Sequence, residues 1–168
     1  ARVEATAMAL FDQVAPEHAG LDERRMLAWA ARLHEVGLAI AHSQYHVHGA
    51  YLLEHSDISG FTQQQQQVLS VLVRCQRRGI PRQAFESIPD RLLLRTQRIA
   101  ALLRLAVLLN RSHGMVDLPT LRLRADADAL ILALPRRKLD ARPLLKTDLA
   151  GEPEDMRALG IGLRIEAD

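Results

Sequence analysis

The chain has 168 residues with a formal net charge of +2, 48% apolar and 25% charged residues, nine glycines and one cysteine. That length suits one helical core with a small appended unit, and the lone Cys75 excludes an internal disulfide framework and fits a reducing compartment, so a cytoplasmic location is expected. No apolar run reaches the roughly eighteen residues of a membrane span, and the scattered glycines form neither a GxGxxG nor a P-loop that could cradle a phosphate.

Up to about His113 the apolar residues recur at three and four positions, as in Met8, Leu10, Phe11 and Val14, and then Met26, Leu27, Ala30, Ala31 and Leu33. Five helices are predicted, at 2–15, 22–38, 43–56, 62–79 and 90–112. Asp22, Thr62 and Asp90 stand where N-caps belong, Gly79 before Ile80-Pro81 is expected to end the fourth helix, and Pro16, Gly20 and Gly60 mark joins. The run Gln63 to Gln67 reads as the solvated opening turn of the fourth helix. After Gly114 the pattern alternates, with Leu121, Leu123 and Ala125 and then Leu130, Leu132 and Leu134, a hairpin. Thr147 is expected to cap a short helix running to Leu159, Gly160 to end it, and Ile161, Leu163 and Ile165 to form a last strand. The fold class is therefore mainly α: a helical bundle over 1–116 followed by a small α+β (ββαβ) subdomain over 117–168.

The net charge hides segregation. Residues 1–73 carry −4 and residues 112–168 carry −1, whereas between Arg74 and Arg111 nine arginines face only two acids. These are Arg74, Arg77, Arg78, Arg82, Arg91, Arg95, Arg98, Arg104 and Arg111. Guanidinium keeps its charge at any physiological pH and matches phosphate oxygens bidentately, so a polyanion is the natural partner. The plainer alternative is a solvated face making i,i+4 pairs, but only Glu86 and Asp90 stand nearby in sequence. Arg91, Arg95 and Arg98 share one helical stripe suited to a groove wall. Arg104, amid Leu102, Leu103, Leu105 and Val107, reads instead as a structural arginine paired with an acid across the core.

Histidines gather between His34 and His55. On a continuous helix His42 and His46 would share one side of an apolar stripe and His48 and His55 the other, so the four cannot converge on one ion. His34 reads as a core histidine bonded to a carbonyl or to Glu35. His42, His46 and His48 are expected to line an anion path beside Arg77 and Arg78, with partial protonation adding donors. Nucleic acid is a disfavoured partner, because Phe11, Trp29, Tyr45, Tyr51, Phe61 and Phe85 are scattered and most fall in apolar stripes.

Leu33-His34-Glu35-Val36-Gly37, His42-Ser43, His48, Ala50-Tyr51-Leu52-Leu53, Ser56-Asp57, Gly60-Phe61, Val73-Arg74 and the run Leu102 to Asn110 together resemble the C-terminal helical region of the exopolyphosphatase/guanosine pentaphosphate phosphohydrolase family. That region is similar to an HD domain without its metal site. HD enzymes place an adjacent His-Asp pair on the metal. Here the pair is His34-Glu35, whose extra methylene displaces the carboxylate beyond the small tolerance of a metal–ligand bond.

The resemblance implies an HD-like domain that is the C-terminal part of a longer protein. Its N-terminal actin-like domains would hold Mg²⁺ and release terminal phosphate processively from inorganic polyphosphate, and this region would bind polyphosphate and contribute to a homodimer. On that basis the expected contacts are His42, His46, His48, Arg74, Arg77, Arg78, Arg82, Arg95 and Arg98, with no catalytic residue and no cofactor in this region. The competing expectation is a variant HD-type metal-dependent phosphohydrolase acting on guanosine nucleotides through His34 and Glu35.

Overall fold

The computed structural model describes residues 1–15, 21–111 and 116–168. Helix α1 (Arg2–Val14) forms because Val3, Thr6, Ala7, Leu10 and Phe11 recur on one face, and all five are buried. Helix α2 (Leu21–Leu33) packs on α1, and α3 (Tyr45–His55) packs on α4 (Gln63–Arg74). Helix α5 (Asp90–Arg111) contacts α1, α2 and α4; its residues 99 to 109 are all buried, so it is the central helix. One apolar cluster runs from Val3 through α5 to Leu163 and joins the helical part to the C-terminal unit.

Two of the expected helices end early, each for a visible reason. The second stops at Leu33 and the chain passes into a 3₁₀ turn at Val36–Ala39. There Gly37 lies so close to α3 that an added Cβ would sit 1.8 Å from the Tyr45 carbonyl oxygen and 2.5 Å from Gly49 N. The fourth ends at Arg74, not at Gly79; Cys75 caps it and Arg78 turns the backbone with φ 63°. The third helix begins at Tyr45 after a left-handed Gln44, which leaves His42 outside it.

Thr62 is an N-cap as expected and forms a full capping box with Gln65. Asp22 and Asp90 instead lie within the first turns of their helices. The glutamine run is only partly solvated. Gln66 is buried, and its Nε2 donates to the Leu53 and Ser56 carbonyls at 3.0 and 2.6 Å, tying α4 to the end of α3. The joins at Pro16 and Gly20 and the change of pattern at Gly114 lie outside the described residues.

Strands β1 (Arg122–Asp126) and β2 (Ala129–Leu134) form the expected hairpin, with Leu123 opposite Leu132 across a two-residue turn. Ala125 is exposed despite its place in the alternation. Strand β3 (Gly162–Ala167) pairs parallel to β2, giving the order β1-β2-β3. Between β2 and β3 lie two helices rather than one, α6 (Arg136–Asp140) and α7 (Pro143–Arg157). Helix α7 starts at Pro143, whose missing N–H is harmless in a first turn, so Thr147 is no cap; its hydroxyl donates back to the Pro143 carbonyl. The unit is thus ββααβ, and Gln13 of α1 clasps its edge by bonding the Leu121 carbonyl and the Leu123 amide.

Candidate anion-binding corner

The start of α3 and the end of α4 meet at a corner fixed mostly by backbone contacts. Gly37 and Gly49 let the 3₁₀ turn and α3 approach at backbone distance, with Val73 of α4 against Gly49. Gln76, almost fully buried, donates through Nε2 to the His34 carbonyl at 2.6 Å and so ties the end of α2 to the segment after α4. His34 is itself satisfied, since its Nδ1 donates to the Ala31 carbonyl at 2.6 Å while Nε2 lies 3.7 Å from Glu35. Among the described residues no three His, Cys, Asp or Glu side chains are grouped so as to hold a metal ion. The His34-Glu35 pair thus has no third such ligand beside it among the described residues.

Arg74, Arg77 and Arg78 leave the end of α4 around His46, which occupies the first turn of α3. The Arg77 guanidinium stacks on the Tyr45 ring at 4.6 Å, and Tyr45 in turn meets the rings of His42 and His46 edge-on. Arg74 lines a cavity of about 410 Å³ between α3, α4 and residues 83–87, which also contains Tyr51, Ser70 and Glu86. Among the described residues no carboxylate lies within ion-pair distance of Arg74, Arg77, Arg78, Arg82 or Arg98.

His46 is 4% exposed. Burial, followed by the charges of Arg74, Arg77, Arg78 and Arg104, pushes its pKa down to about 4. At neutral pH it is uncharged, so the expected partial protonation does not apply to it: a buried imidazole among guanidinium groups resists a further positive charge. Its Nδ1 and the Nε of Arg77 are both sealed from solvent without a hydrogen-bond partner among the described residues. His42 is exposed in the turn before α3, and His48 is half-buried on α3. Burial pushes the Cys75 thiol up to about 11, which makes it an inert packing residue.

The remaining arginines go elsewhere. Arg95 pairs with Glu23 at 3.2 Å, Arg111 with Asp148 at 3.7 Å, and Arg91 donates to Gln64. Arg95 and Arg98 do line a groove, but it is an apolar one of about 210 Å³ between α1, α5 and the hairpin tip, containing Phe11, Leu94, Leu130 and Ile161. The structure does not bring these two to the corner around His46.

Arg104 is the structural arginine expected from its apolar neighbours. It is 3% exposed and binds Glu152 at 2.6 and 3.2 Å and Asp155 at 3.3 Å. Its Nη1 also donates to the carbonyls of Cys75 and Arg78, both at 2.8 Å. Sequence reasoning missed Tyr45, Gln76, Glu152 and Asp155 as participants. A signal for Glu152 was present: Leu145, Leu149, Glu152 and Met156 share one helical stripe, so a lone acid sits on the buried face of α7.

The family model described as Ppx/GppA phosphatase, domain III, matches residues 1–153. Similar proteins include the guanosine-5'-triphosphate,3'-diphosphate pyrophosphatase of Aeromonas hydrophila, 33% identical over 166 residues that cover 98% of this chain and 34% of that protein. Those of the same name from Vibrio cholerae and Pseudoalteromonas atlantica are 36% identical over 84% of this chain and 32% identical over 98%, covering 28% and 33% of the relatives. The chain spans about a third of the length of the curated relatives it matches. The chain therefore belongs to the Ppx/GppA phosphatase family, its residues 1–153 corresponding to domain III.

Proposed function

We propose that this domain holds the phosphate chain of the substrate of a Ppx/GppA phosphatase, while hydrolysis takes place on actin-like domains elsewhere in the protein. The observation that carries this reading is the set of three guanidinium groups beside the first turn of α3, Arg74, Arg77 and Arg78, which have no carboxylate partner among the described residues. Such a concentration of like charge on one short segment repels itself unless a polyanion offsets it. Several arginines acting together on a linear phosphate chain would bind by counterion release, as basic proteins do on nucleic acid backbones. His42 and His48 add ring N–H donors at the edge. Mg²⁺ belongs with the catalytic domains in this reading, since no donor set among the described residues suits it. Homodimerisation is part of the same proposal, and sedimentation of the chain is its direct test.

The substrate is either inorganic polyphosphate, from the resemblance of the helical region, or guanosine pentaphosphate, from the names of the similar proteins. Both present consecutive phosphates to the corner. Calorimetric titration of the chain with long-chain polyphosphate and with guanosine pentaphosphate, at two salt concentrations and against duplex DNA of matched charge, tests the proposal. The expected result is salt-sensitive binding that prefers a phosphate chain to DNA and falls about a hundredfold in Arg77→Ala with Arg78→Ala, since each charge-assisted contact contributes about 1.5 kcal/mol or more. Equal affinity for DNA, or no loss in the double variant, would rule out this corner as the binding site.

A further inference from the structure

Arg78 adopts φ 63°, a left-handed backbone conformation in which a side chain is strained, although Gly79 stands one position later. A strained turn persists only where its surroundings over-determine it. Here the determining group is Arg104, whose Nη1 bridges the Cys75 and Arg78 carbonyls and so spans the turn that carries Arg77. Arg104 is in turn held by two acids of α7, Glu152 and Asp155. A chain of contacts therefore runs from the C-terminal unit, through one buried guanidinium, to the backbone that sets where Arg77 and Arg78 project.

We infer that Arg104, clamped by Glu152 and Asp155, is a positioning residue for the phosphate site, so that the affinity of the corner depends on the docking of α7. This rests on the phosphate-chain reading of the corner. It makes a prediction opposite in sign to that of simple electrostatics. Removing the negative charge of Glu152 near a polyanion site should by Coulomb's law alone strengthen binding. If Glu152 acts by holding Arg104, removing it weakens binding.

The test is polyphosphate calorimetry on the whole chain, with amide hydrogen exchange over residues 76–79, in Glu152→Gln, in Asp155→Asn and in the double variant Arg104→Met with Glu152→Leu. The double variant leaves the net charge unchanged and replaces a buried ion pair by apolar side chains, a change that proteins often tolerate without loss of stability. Circular dichroism melts establish that each variant is folded. Expected are about tenfold weaker binding in Glu152→Gln and in the double variant, a smaller loss in Asp155→Asn, and faster exchange at the Arg78 turn in all three. Unchanged or tighter binding by a folded Glu152→Gln overturns the inference, as does unaltered exchange at 76–79 in the double variant. Should Glu152→Gln fail to fold, the double variant and Asp155→Asn decide by the same criteria. Absence of binding by the unaltered chain would sink the phosphate reading itself and this inference with it, a pattern distinct from binding that the variants leave intact.

Discussion

Arg104 and Arg78 are joined by a single hydrogen bond, from guanidinium to carbonyl, yet their side chains occupy opposite surroundings. Arg104 is buried and carries two carboxylates; Arg78 is exposed and carries none among the described residues. The difference follows from desolvation. A buried guanidinium must bring its counter-charge with it, so its partner was selected with the fold. A hydrated one needs no partner for stability, so a cluster of such groups without acids retains its charge for an external anion. Arginines from one stretch of sequence thus end in different surroundings, Arg104 paired in the core and Arg78 hydrated at the surface.

The largest way to break this contrast is to exchange the roles. Arg104→Ala leaves Glu152 buried without its counter-charge and is expected to cost about 4 kcal/mol of unfolding free energy. Arg78→Gly removes a side chain from a left-handed position that glycine adopts freely, and is expected to leave stability unchanged or raise it by about 0.5 kcal/mol while weakening phosphate binding. Urea denaturation of the two variants measures both. A comparable loss in each would mean that Arg78 is also architectural, and the division would fail.

Much of this was legible in the sequence, though not its geometry. The apolar period located all five bundle helices, and the lone charge within Leu102 to Val107 marked Arg104 as structural. The acids that pair with it were harder to see, since Glu152 lies 48 positions away and only its place on the apolar stripe of α7 hints at burial. Helix ends were misplaced where tertiary packing overrides local preference. The end of α2 is dictated by the contact of Gly37 with Tyr45, and that of α4 by Arg104 gathering the Cys75 and Arg78 carbonyls. The Leu33 to Gly37 motif was conspicuous as a near match to a metal site, whereas in the structure its histidine is bonded to a carbonyl and its glycine provides a close backbone contact. Neither role can be inferred from residue types alone. Likewise the stripe of Arg95 and Arg98 was visible, but not that an apolar groove runs beneath it.

A smaller effect sharpens the contrast through pH. The charges facing His46 are Arg74, Arg77 and Arg78 from the end of α4 and its following turn, and Arg104 from α5, with Tyr45 as its aromatic neighbour. Its pKa is about 4 when folded, against 6.5 for the free group, so the unfolded chain takes up a proton first as pH falls. The contribution of His46 is therefore intact above pH 6.5 and is lost progressively between 6.5 and about 4. Between pH 7 and pH 5 the unaltered chain is expected to lose about 2 kcal/mol more stability than His46→Leu. Arg77→Ala with Arg78→Ala should move the His46 pKa back toward its ordinary value, read by histidine NMR titration. No movement would mean that Arg77 and Arg78 exert little field there and that burial, with Arg74 and Arg104, sets it.

The smallest effect bears on how far the phosphate path extends. Arg95 has a surface partner in Glu23, and both side chains are reachable by solvent, so Arg95→Gln should change stability by less than about 1 kcal/mol. Arg98 has no acidic partner among the described residues, but it borders the apolar groove rather than the corner. Its charge acts on a bound polyanion only through the general field, which salt screens over about 8 Å at physiological ionic strength. Arg98→Gln should accordingly reduce polyphosphate affinity at low salt and leave it within about twofold at physiological salt, whereas Arg78→Gln, at the proposed contact, should lower it under both conditions. Calorimetry at the two salt concentrations separates them. If Arg98→Gln loses as much as Arg78→Gln at the higher salt, the chain is gripped along α5 as well, and the anion path continues from the corner over the stripe that the sequence first suggested.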